Sequence, residues 1–465
     1  MRCKCIHLHG KTLFLLLIPV TLLTSIFGEK NQTISKLKGL ETVSFFDGSS
    51  LLGSLHEIRN EGNLVWSHKS SRNPLVFDYQ AVESILFNRL EKELVKPTGS
   101  MVIHLKNKDF IRGAMKSLSK EKLIFSSGFG QNLEANISDV QSLEFLPKSY
   151  QVLYDSSYDF EKWKKSNTKA WTEEQGSLIS VFSGSTGTTL PEVDAIEVKF
   201  EASWQRSFYL ALRFFSDSDG GSYGSEGYHL SFSNNRINLQ SNRKLKGRTI
   251  RETLGSVMVD SLVGVKKADF KIYAHRQHKE FIVFVNETEV ARWKDPTSDH
   301  FTENSGLLFI NQGGNSYLKL EELTIAGWKG QYFLTIPPAT AIQERGQFIA
   351  FKNGDYTSIQ SSSSTKNGLL IKTKRGTYEV PYENIRSVHF PNNDLTKNEF
   401  TFNEEINLTK SLGKLSFELN SNSNHLLHGQ HPYLGRFQIP LERIKRLRGN
   451  LLLKSRREYL SLIHI

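Results

Sequence analysis

Leu75-VFDYQAVESIL-Phe87, Leu133-EANISDVQSLE-Phe145, Tyr378-EVPYENIRSVH-Phe390 and Phe437-QIPLERIKRLR-Gly449 are four phrases that align without a gap. Position three is Phe77, Ala135, Val380 or Ile439; position eight is Val82, Val140, Ile385 or Ile444; position eleven is Ile85, Leu143, Val388 or Leu447. The opening alternation predicts a half-buried strand. The pairs Gln80-Ala81, Ser138-Asp139, Glu383-Asn384 and Glu442-Arg443 suit one tight helical turn, and a second strand follows. Upstream, Val43-SFF before Asp47-Gly48 and Phe348-IAF before Asn353-Gly354-Asp355 carry hairpin signals. Self-similarity of this kind sets the architecture. Two repeats precede a central segment and two follow it.

A strand, a one-turn helix and a closing strand, with glycines at Gly53 and Gly113 in a bent strand, resemble the SH3-like and Sm-like small barrels. That resemblance implies four barrels, over residues 38–90, 98–148, 340–392 and 398–450. They are expected to serve as scaffold, with protein partners as a further role for such adaptors. A barrel of ~50 residues buries little alone, so the barrels are expected to pack in pairs.

Residues 150–330 alternate with no helical period. Leu178-ISVF, Ala195-IEVKFEASW, Phe208-YLALRFF, Tyr228-HLSF, Ile237-NLQ, Phe270-KIYA, Phe281-IVFV, Gly306-LLFI and Leu318-KLEELTI read as strands separated by Gly, Asn, Asp or Ser turns. That density predicts two packed antiparallel sheets. Asp159-Phe160-Glu161-Lys162-Trp163, Trp171 before Gly176-Ser177-Leu178, Phe281-IVFVNETEVARW, Gly306-LLFINQGG and Leu323-TIAGW resemble the concanavalin-like lectin and glucanase sandwiches, laminin-G type included. The expected fold class is therefore all-β, a central concanavalin-like jelly-roll sandwich flanked on each side by two small SH3-like barrels. The layout is similar to secreted bacterial proteins that pair such a domain with SH3-like repeats. The resemblance implies carbohydrate binding, with laminarinase-like relatives that hydrolyse it, although fold alone licenses neither.

Three local patterns bear on chemistry. Glu192-Val193-Asp194-Ala195-Ile196-Glu197 resembles the carboxylate motif of laminarinase-like retaining glucanases, which implies Glu192 as nucleophile, Asp194 as assistant and Glu197 as acid/base. Retention needs two carboxyls about 5 Å apart. On a plain strand, however, Glu197, Lys199 and Glu201 face solvent while Ile196, Val198 and Phe200 face inward. Asp217-Ser218-Asp219-Gly220-Gly221-Ser222 offers hard oxygens for calcium but lacks the distal glutamate of an EF-hand; the competing reading is a Gly/Ser hairpin. Trp204 beside Gln205-Arg206, and Tyr223, are the expected exposed aromatic and polar partners for sugar rings. Trp163, Trp171 and Trp328 are assigned to the core. His425, His428 and His431 read as a polar loop with a transition-metal alternative.

The first 28 residues predict a secretory signal: Arg2, Lys4 and Lys11 precede the apolar run Thr12 to Leu23, and Gly28 precedes Glu29-Lys30. An uncleaved anchor is the alternative, and no later stretch is apolar enough to span a bilayer. Export to a periplasmic, cell-envelope or extracellular site follows. Cys3 and Cys5 both lie in that signal, which removes disulfides, thiolate nucleophiles and cysteine zinc sites from the mature chain. The formal charge is +11, and Arg436, Arg443, Lys445, Arg446, Arg448 and the tail at 451–465 concentrate it near the end. A solvated basic face, or attachment to an anionic surface, is expected there; export makes nucleic acid the least favoured partner.

The leading expectation is a non-catalytic exported protein whose sandwich recognises a glycan or envelope component, with no cofactor other than the candidate calcium. The alternatives are a glycoside hydrolase and a structural envelope-assembly protein.

Overall fold

The computed structural model describes residues 41–59, 62–87, 101–155, 160–167, 169–174, 176–220, 225–246, 248–297, 304–313, 317–330, 346–391, 404–409, 412–423 and 425–449. The secretory signal and the 451–465 tail therefore lie outside the described residues, as does Tyr223. Among the described residues, all regular structure is strand or short 3₁₀ turn. None of their helices is long and apolar enough to cross a membrane.

Each of the four phrases forms a strand, one 3₁₀ turn and a closing strand. The turns are Tyr79–Ala81, Ile137–Asp139, Tyr382–Asn384 and Leu441–Arg443. Each polar pair sits in its turn because three residues of tight helix reverse the chain while positions three and eight stay in the core. In all four units the first strand pairs with the second and also with the last. Glu41–Phe45 pairs with Ser50–Ile58 and Val82–Leu86, and Met101–Leu105 pairs with Phe110–Leu118 and Val140–Phe145. Phe348–Phe351 pairs with Tyr356–Ser358 and Ile385–His389, and Glu404–Leu408 pairs with Gly413–Ser423 and Ile444–Arg448.

The second strand bends sharply in three units, at register shifts between Leu55 and Glu57, Met115 and Ser117, and Leu419 and Ser421. In the third unit it is broken into Tyr356–Ser358 and Ser361–Ser364. Gly53 and Gly113 occupy the approach to the bend. A Cβ on Gly53 would lie 2.2 Å from the Ser67 carbonyl oxygen, and one on Gly113 2.6 Å from that of Ser126, so only glycine fits.

Pairing between units follows no chain-order rule. Val82–Leu86 of the first unit pairs with Ile444–Arg448 of the fourth, and Val140–Phe145 of the second with Ile385–His389 of the third. Position eleven meets position eleven at both junctions: Ile85 faces Leu447, and Leu143 faces Val388. The N–H of Phe87 donates to the Lys445 carbonyl and that of Gly449 to the Glu83 carbonyl, a local two-fold arrangement. Between units two and four, buried Asp109 accepts from the Ser416 N–H at 2.7 Å, the Ser416 hydroxyl at 3.0 Å and lies 2.9 Å from His431 Nε2. The result is an 18-stranded sheet system and a separate three-stranded sheet of the third unit, Ser361–Ser364, Gly368–Thr373 and Gly376–Pro381, around one shared apolar core. Units therefore join across the sandwich, first with fourth and second with third, and a further pairing of Phe110–Leu118 with Gly413–Ser423 links the second to the fourth, so the four form one body and not separate pairs.

Glu41 and Glu404 hold the same place in units one and four, each at the start of a first strand and accepting an N–H near the bend. Leu55 donates to Glu41 at 2.5 Å and Leu419 to Glu404 at 3.3 Å. Burial raises the Glu404 carboxyl to about 7, the nearby Glu418 charge adds to the rise, and the Leu419 hydrogen bond only partly offsets it. A carboxyl raised on folding stabilises the native state while it is protonated and costs stability as pH climbs from the unfolded value toward 7. Glu404→Gln is therefore expected to raise stability at pH 8 and to change little at pH 4, as measured by urea unfolding at both values.

The centre is a two-sheet sandwich of jelly-roll type. One sheet runs Thr172–Glu174, Ser177–Ser180, Leu318–Trp328, Ala195–Trp204, Lys267–His275, Glu280–Val285 and Thr288–Lys294, with Gln151–Asp155 also on Leu318–Trp328. The other runs Lys164–Lys165, Gly184–Thr189, Gly306–Asn311, Tyr209–Ser216, Gly227–Ser233, Arg236–Leu245 and Arg248–Met258. Their inner faces share a core in which Trp163 and Trp171 are buried, and Trp328 is buried on the outer side of its sheet. Gly184–Thr189 and Arg248–Met258 escaped the sequence reading because they carry almost no alternating apolar residues.

The outer face of the eight-stranded sheet is covered by the flanking units. Lys445 Nζ lies 2.7 Å from Asp155, Arg446 Nη1 lies 3.2 Å from Glu322, and Arg448 Nη2 lies 3.6 Å from Glu322. The basic strand expected at a solvated face or an external anionic surface instead meets carboxylates of the chain's own sandwich. Burial alone would raise the Glu322 carboxyl, yet Lys445, Arg446 and Arg448 hold it at about 2. Glu322 has φ +51°, a strained value for a non-glycine residue, and sits within a register shift that turns its carboxylate toward these three cations.

Candidate functional site

The three carboxylates of the glucanase-like motif serve separate structural roles. Glu192 is exposed and bonded to Lys329 at 3.1 Å. Asp194 accepts from the Gly330 N–H at 2.6 Å and from Gln277 Nε2 at 3.0 Å, which ties the loop before Ala195–Trp204 to two neighbouring segments. Glu197 is only 5% exposed. It pairs with Lys199 at 2.7 Å and accepts from the Tyr150 hydroxyl at 3.3 Å, while Tyr150 stacks on Trp328 and lies beneath Arg112 of the second unit. The plain strand is present as expected, but of its outward row Glu197 is buried and only Lys199 keeps a substantially exposed side chain. Glu197 is thus buried against Lys199 and Tyr150, whereas Glu192 is exposed beside Lys329.

Trp204, expected on the surface, is 6% exposed and stacks on Phe208 with centroids 4.4 Å apart. Its strand explains this: Phe200, Ala202 and Trp204 share the inward parity. Arg206 is exposed and its carbonyl accepts from Lys266 Nζ at 2.7 Å. Asp217 bonds Lys244 and the Glu226 N–H, whereas Asp219 bonds Lys164 at 3.0 Å and the Thr189 hydroxyl at 2.8 Å. The two carboxylates look to different lysines, and a calcium ion between them would have to displace both. His428 and His431 lie on the strand Leu426–His431, where a spacing of three sends them to opposite faces, and His431 is buried against Asp109.

A different surface gathers polar side chains. On the seven-stranded sheet, Leu210, Leu212, Phe214, Tyr228, Leu230, Phe232, Ile237 and Leu239 point into the core. The alternate positions point outward. Arg213 stands opposite His229, which stands opposite Gln240, which stands opposite Thr253. The next row is Ala211, Ser231 and Asn238; the row beyond is Tyr209, Ser233 and Arg236. At the other end Asn242 stands opposite Arg251. Gln312 reaches over this surface to place Nε2 3.2 Å from His229 Nε2.

Parts of this face are covered: the carbonyls of Ser218 and Asp219 approach it at Gly306 and Gly187. Arg213 is 7% and Asn242 2% exposed, far below what a solvated sheet face shows. A register shift beyond Arg213 turns both Phe214 and Phe215 inward and ends the regular ladder there. Burial lowers the His229 imidazole to about 4, and the charges of Arg213 and Arg251 push it the same way. The ring is therefore neutral at ordinary pH, with one nitrogen to donate and one to accept. Among the described residues, His229 Nδ1 and Asn242 Oδ1 are buried with no hydrogen-bond partner.

No protein-family model and no curated protein matches the chain. Among solved structures, sheep galectin-11 in complex with glycerol aligns at 12% identity over 30% of this chain and 95% of its own, with a TM-score of 0.23. A carbohydrate-binding module from Bacillus subtilis aligns at 13% identity over 36% and 92%, with a TM-score of 0.23. A Bacillus subtilis protein of unknown function with a galectin-like fold aligns at 14% identity over 39% and 99%, with a TM-score of 0.29. The sandwich assignment itself rests on the strand order and shared core described above.

The sequence reading missed the Arg213–His229–Gln240 row. Its signal was present in Tyr228-HLSF and Ile237-NLQ, where His229, Ser231, Asn238 and Gln240 take every second place between apolar residues.

Proposed function

We propose that this is an exported, non-catalytic protein that binds a glycan through the outer face of the seven-stranded sheet. The observation that carries the reading is the outward polar row of Ser231, Asn238 and Gln240 around His229, with the Gln312 amide beside it. Each sugar hydroxyl both donates and accepts, and a neutral imidazole, side-chain amides and serine hydroxyls do the same. Tyr209, half-buried on the same face, offers an aromatic edge or plane for the apolar side of a ring. The flanking units hold the sandwich by its opposite sheet and leave this one outward.

Affinity electrophoresis of the full chain through gels containing soluble polysaccharides tests the reading. Retardation is expected with at least one polysaccharide. Gln240→Ala, partly exposed and outside the core, is expected to weaken it about tenfold, the scale of one or two lost hydrogen bonds to a ligand. An unchanged thermal midpoint would show that the loss is local. Retardation unaffected by Gln240→Ala and by Asn238→Ala would place binding elsewhere.

Protein contact through the flanking units is the second reading, favoured by Tyr356, Leu370 and Tyr378, which are 39%, 42% and 51% exposed within the third unit.

A further inference from the structure

The four units join in the order first, fourth, second, third, and two kinds of junction alternate. Last strands meet between first and fourth and between second and third. Between fourth and second, the starts of the two second strands meet, with Phe110 opposite Lys414 and Ile111 opposite Gly413. Phe110 and Lys414 hold the same place in their units. Each faces the residue that follows a buried isoleucine of the first strand, Ile103 or Ile406. That junction is therefore a local two-fold centred on one position. At each end of the array the start of a second strand is left over. In the third unit it is Tyr356–Ser358, where Tyr356 faces Ala350, the residue after buried Ile349. Among the described strands it pairs with Phe348–Phe351 alone. The Phe351 N–H donates to the Asp355 carbonyl and the Ile359 N–H to the Gln347 carbonyl. Thr357 therefore completes that ladder, and the N–H and C=O groups of Tyr356 and Ser358 point away from it. Asp355, Tyr356, Thr357 and Ser358 are all exposed.

The third unit also carries both halves of the contact that fastens the internal junction. There Asp109, one residue before Phe110, accepts from the N–H and hydroxyl of Ser416, two residues after Lys414. By the same count from Tyr356, Asp355 holds the place of Asp109 and Ser358 that of Ser416. The loops that present the two aspartates are alike: Asn107 Nδ2 donates to Asp109 at 2.7 Å, and Asn353 Nδ2 to Asp355 at 2.7 Å. The first unit has neither half, with Ser49 and Leu52 at these places. We propose that two copies of this chain associate through their third units, Tyr356 opposite Tyr356 across a two-fold axis, with Asp355 of each copy accepting from the Ser358 N–H and hydroxyl of the other. The contact repeats an interface already present inside the chain. It is isologous and closes at the dimer, since the first units lack the matching pair. It gives the protein-contact reading a partner and does not depend on glycan binding.

Sedimentation velocity of the full chain from about 5 to 300 µM tests this, a range suited to a small interface. The wild type is expected to pass from monomer to dimer. Ser358→Pro removes one outward N–H while Thr357 keeps the ladder to Phe348–Phe351, and should weaken association about tenfold or more. Tyr356→Glu sets two new carboxylates at the axis beside the two Asp355 side chains and should leave only monomer. Tyr356→Lys should weaken association about tenfold, since like charges then stand directly opposite. An equal mixture of the two Tyr356 variants should recover the dimer, because position 356 of one copy faces position 356 of the other. Ser50→Glu, at the corresponding place of the first unit, should have no effect. Unchanged thermal midpoints in all variants would show that the edge alone was altered. Monomer at every concentration, a dimer that survives Tyr356→Glu, or a mixture no better associated than Tyr356→Glu alone would each overturn the proposal. A loss on Ser50→Glu equal to that on Tyr356→Glu would pair the third unit with the first of the other copy and overturn it too. Polysaccharide retardation is read separately, so failure here leaves the glycan-binding reading standing.

Discussion

Leu447→Asp is expected to destabilise the protein by about 4–5 kcal/mol and to lower unfolding cooperativity, because it places a carboxylate at the centre of a junction with no cation inside the core. Leu447 is 1% exposed and faces Ile85, itself fully buried, across the pairing of the fourth and first units. The same core continues through Val82 and Ile444. If the four units were independent beads, the damage would stay in the fourth. In the interleaved arrangement it propagates to the first, since the edge of Val82–Leu86 loses its partner strand. Urea unfolding followed by fluorescence, with hydrogen exchange read separately over 41–87 and 404–449, distinguishes the cases. Loss of protection in both segments is expected. Loss confined to 404–449 would contradict the interleaving.

Glu322→Gln is expected to cost about 3 kcal/mol at pH 7, the free energy that corresponds to lowering a carboxyl from 4.5 to about 2. The wild-type interface should also be acid-labile in a defined window. A carboxyl depressed on folding contributes stability above its unfolded value and loses it as pH falls toward its folded value, here from about 4.5 to about 2. Glu321 behaves alike, since burial is outweighed by Lys319, Arg446 and Arg448 and its carboxyl also lies at about 2. Glu144 of the second unit is held lower still: its burial is overcome by the His104 hydrogen bond and by the charges of His104, Lys271 and Arg386. The stability difference between wild type and Glu322→Gln should therefore shrink steadily below pH 4.5. A difference independent of pH would show that packing, and not charge, holds the units to the sandwich.

The local structure was legible because it depends on neighbours in sequence. Val82 and Ile85, at positions eight and eleven, are core residues, and Gln80-Ala81 makes the predicted turn. Ala195–Trp204 has the bounds that its alternation predicted. Partner choice was not legible, because Ile85, Leu143, Val388 and Leu447 are interchangeable apolar residues and nothing in their own strands says which will meet. The basic run Lys445-Arg446 looked like a surface feature for a related reason: its counter-charges, Asp155, Glu321 and Glu322, are remote in sequence. Trp204 and His229 differ from these. Parity alone assigns Trp204 inward with Phe200 and Ala202, and His229 outward with Ser231. The aromatic was given more weight than its register. Glu197 shows the limit of parity, which gives the outward direction correctly but not the units that cover it.

Hydrogen-exchange mass spectrometry of the full chain, with and without the polysaccharide that retards it most, tests the central claim most directly. The account predicts slowed exchange over Tyr209–Ser216, Gly227–Ser233 and Arg236–Leu245, with no change over Ala195–Trp204. Protection over the Glu192–Glu197 loop, or confined to the flanking units, would contradict it.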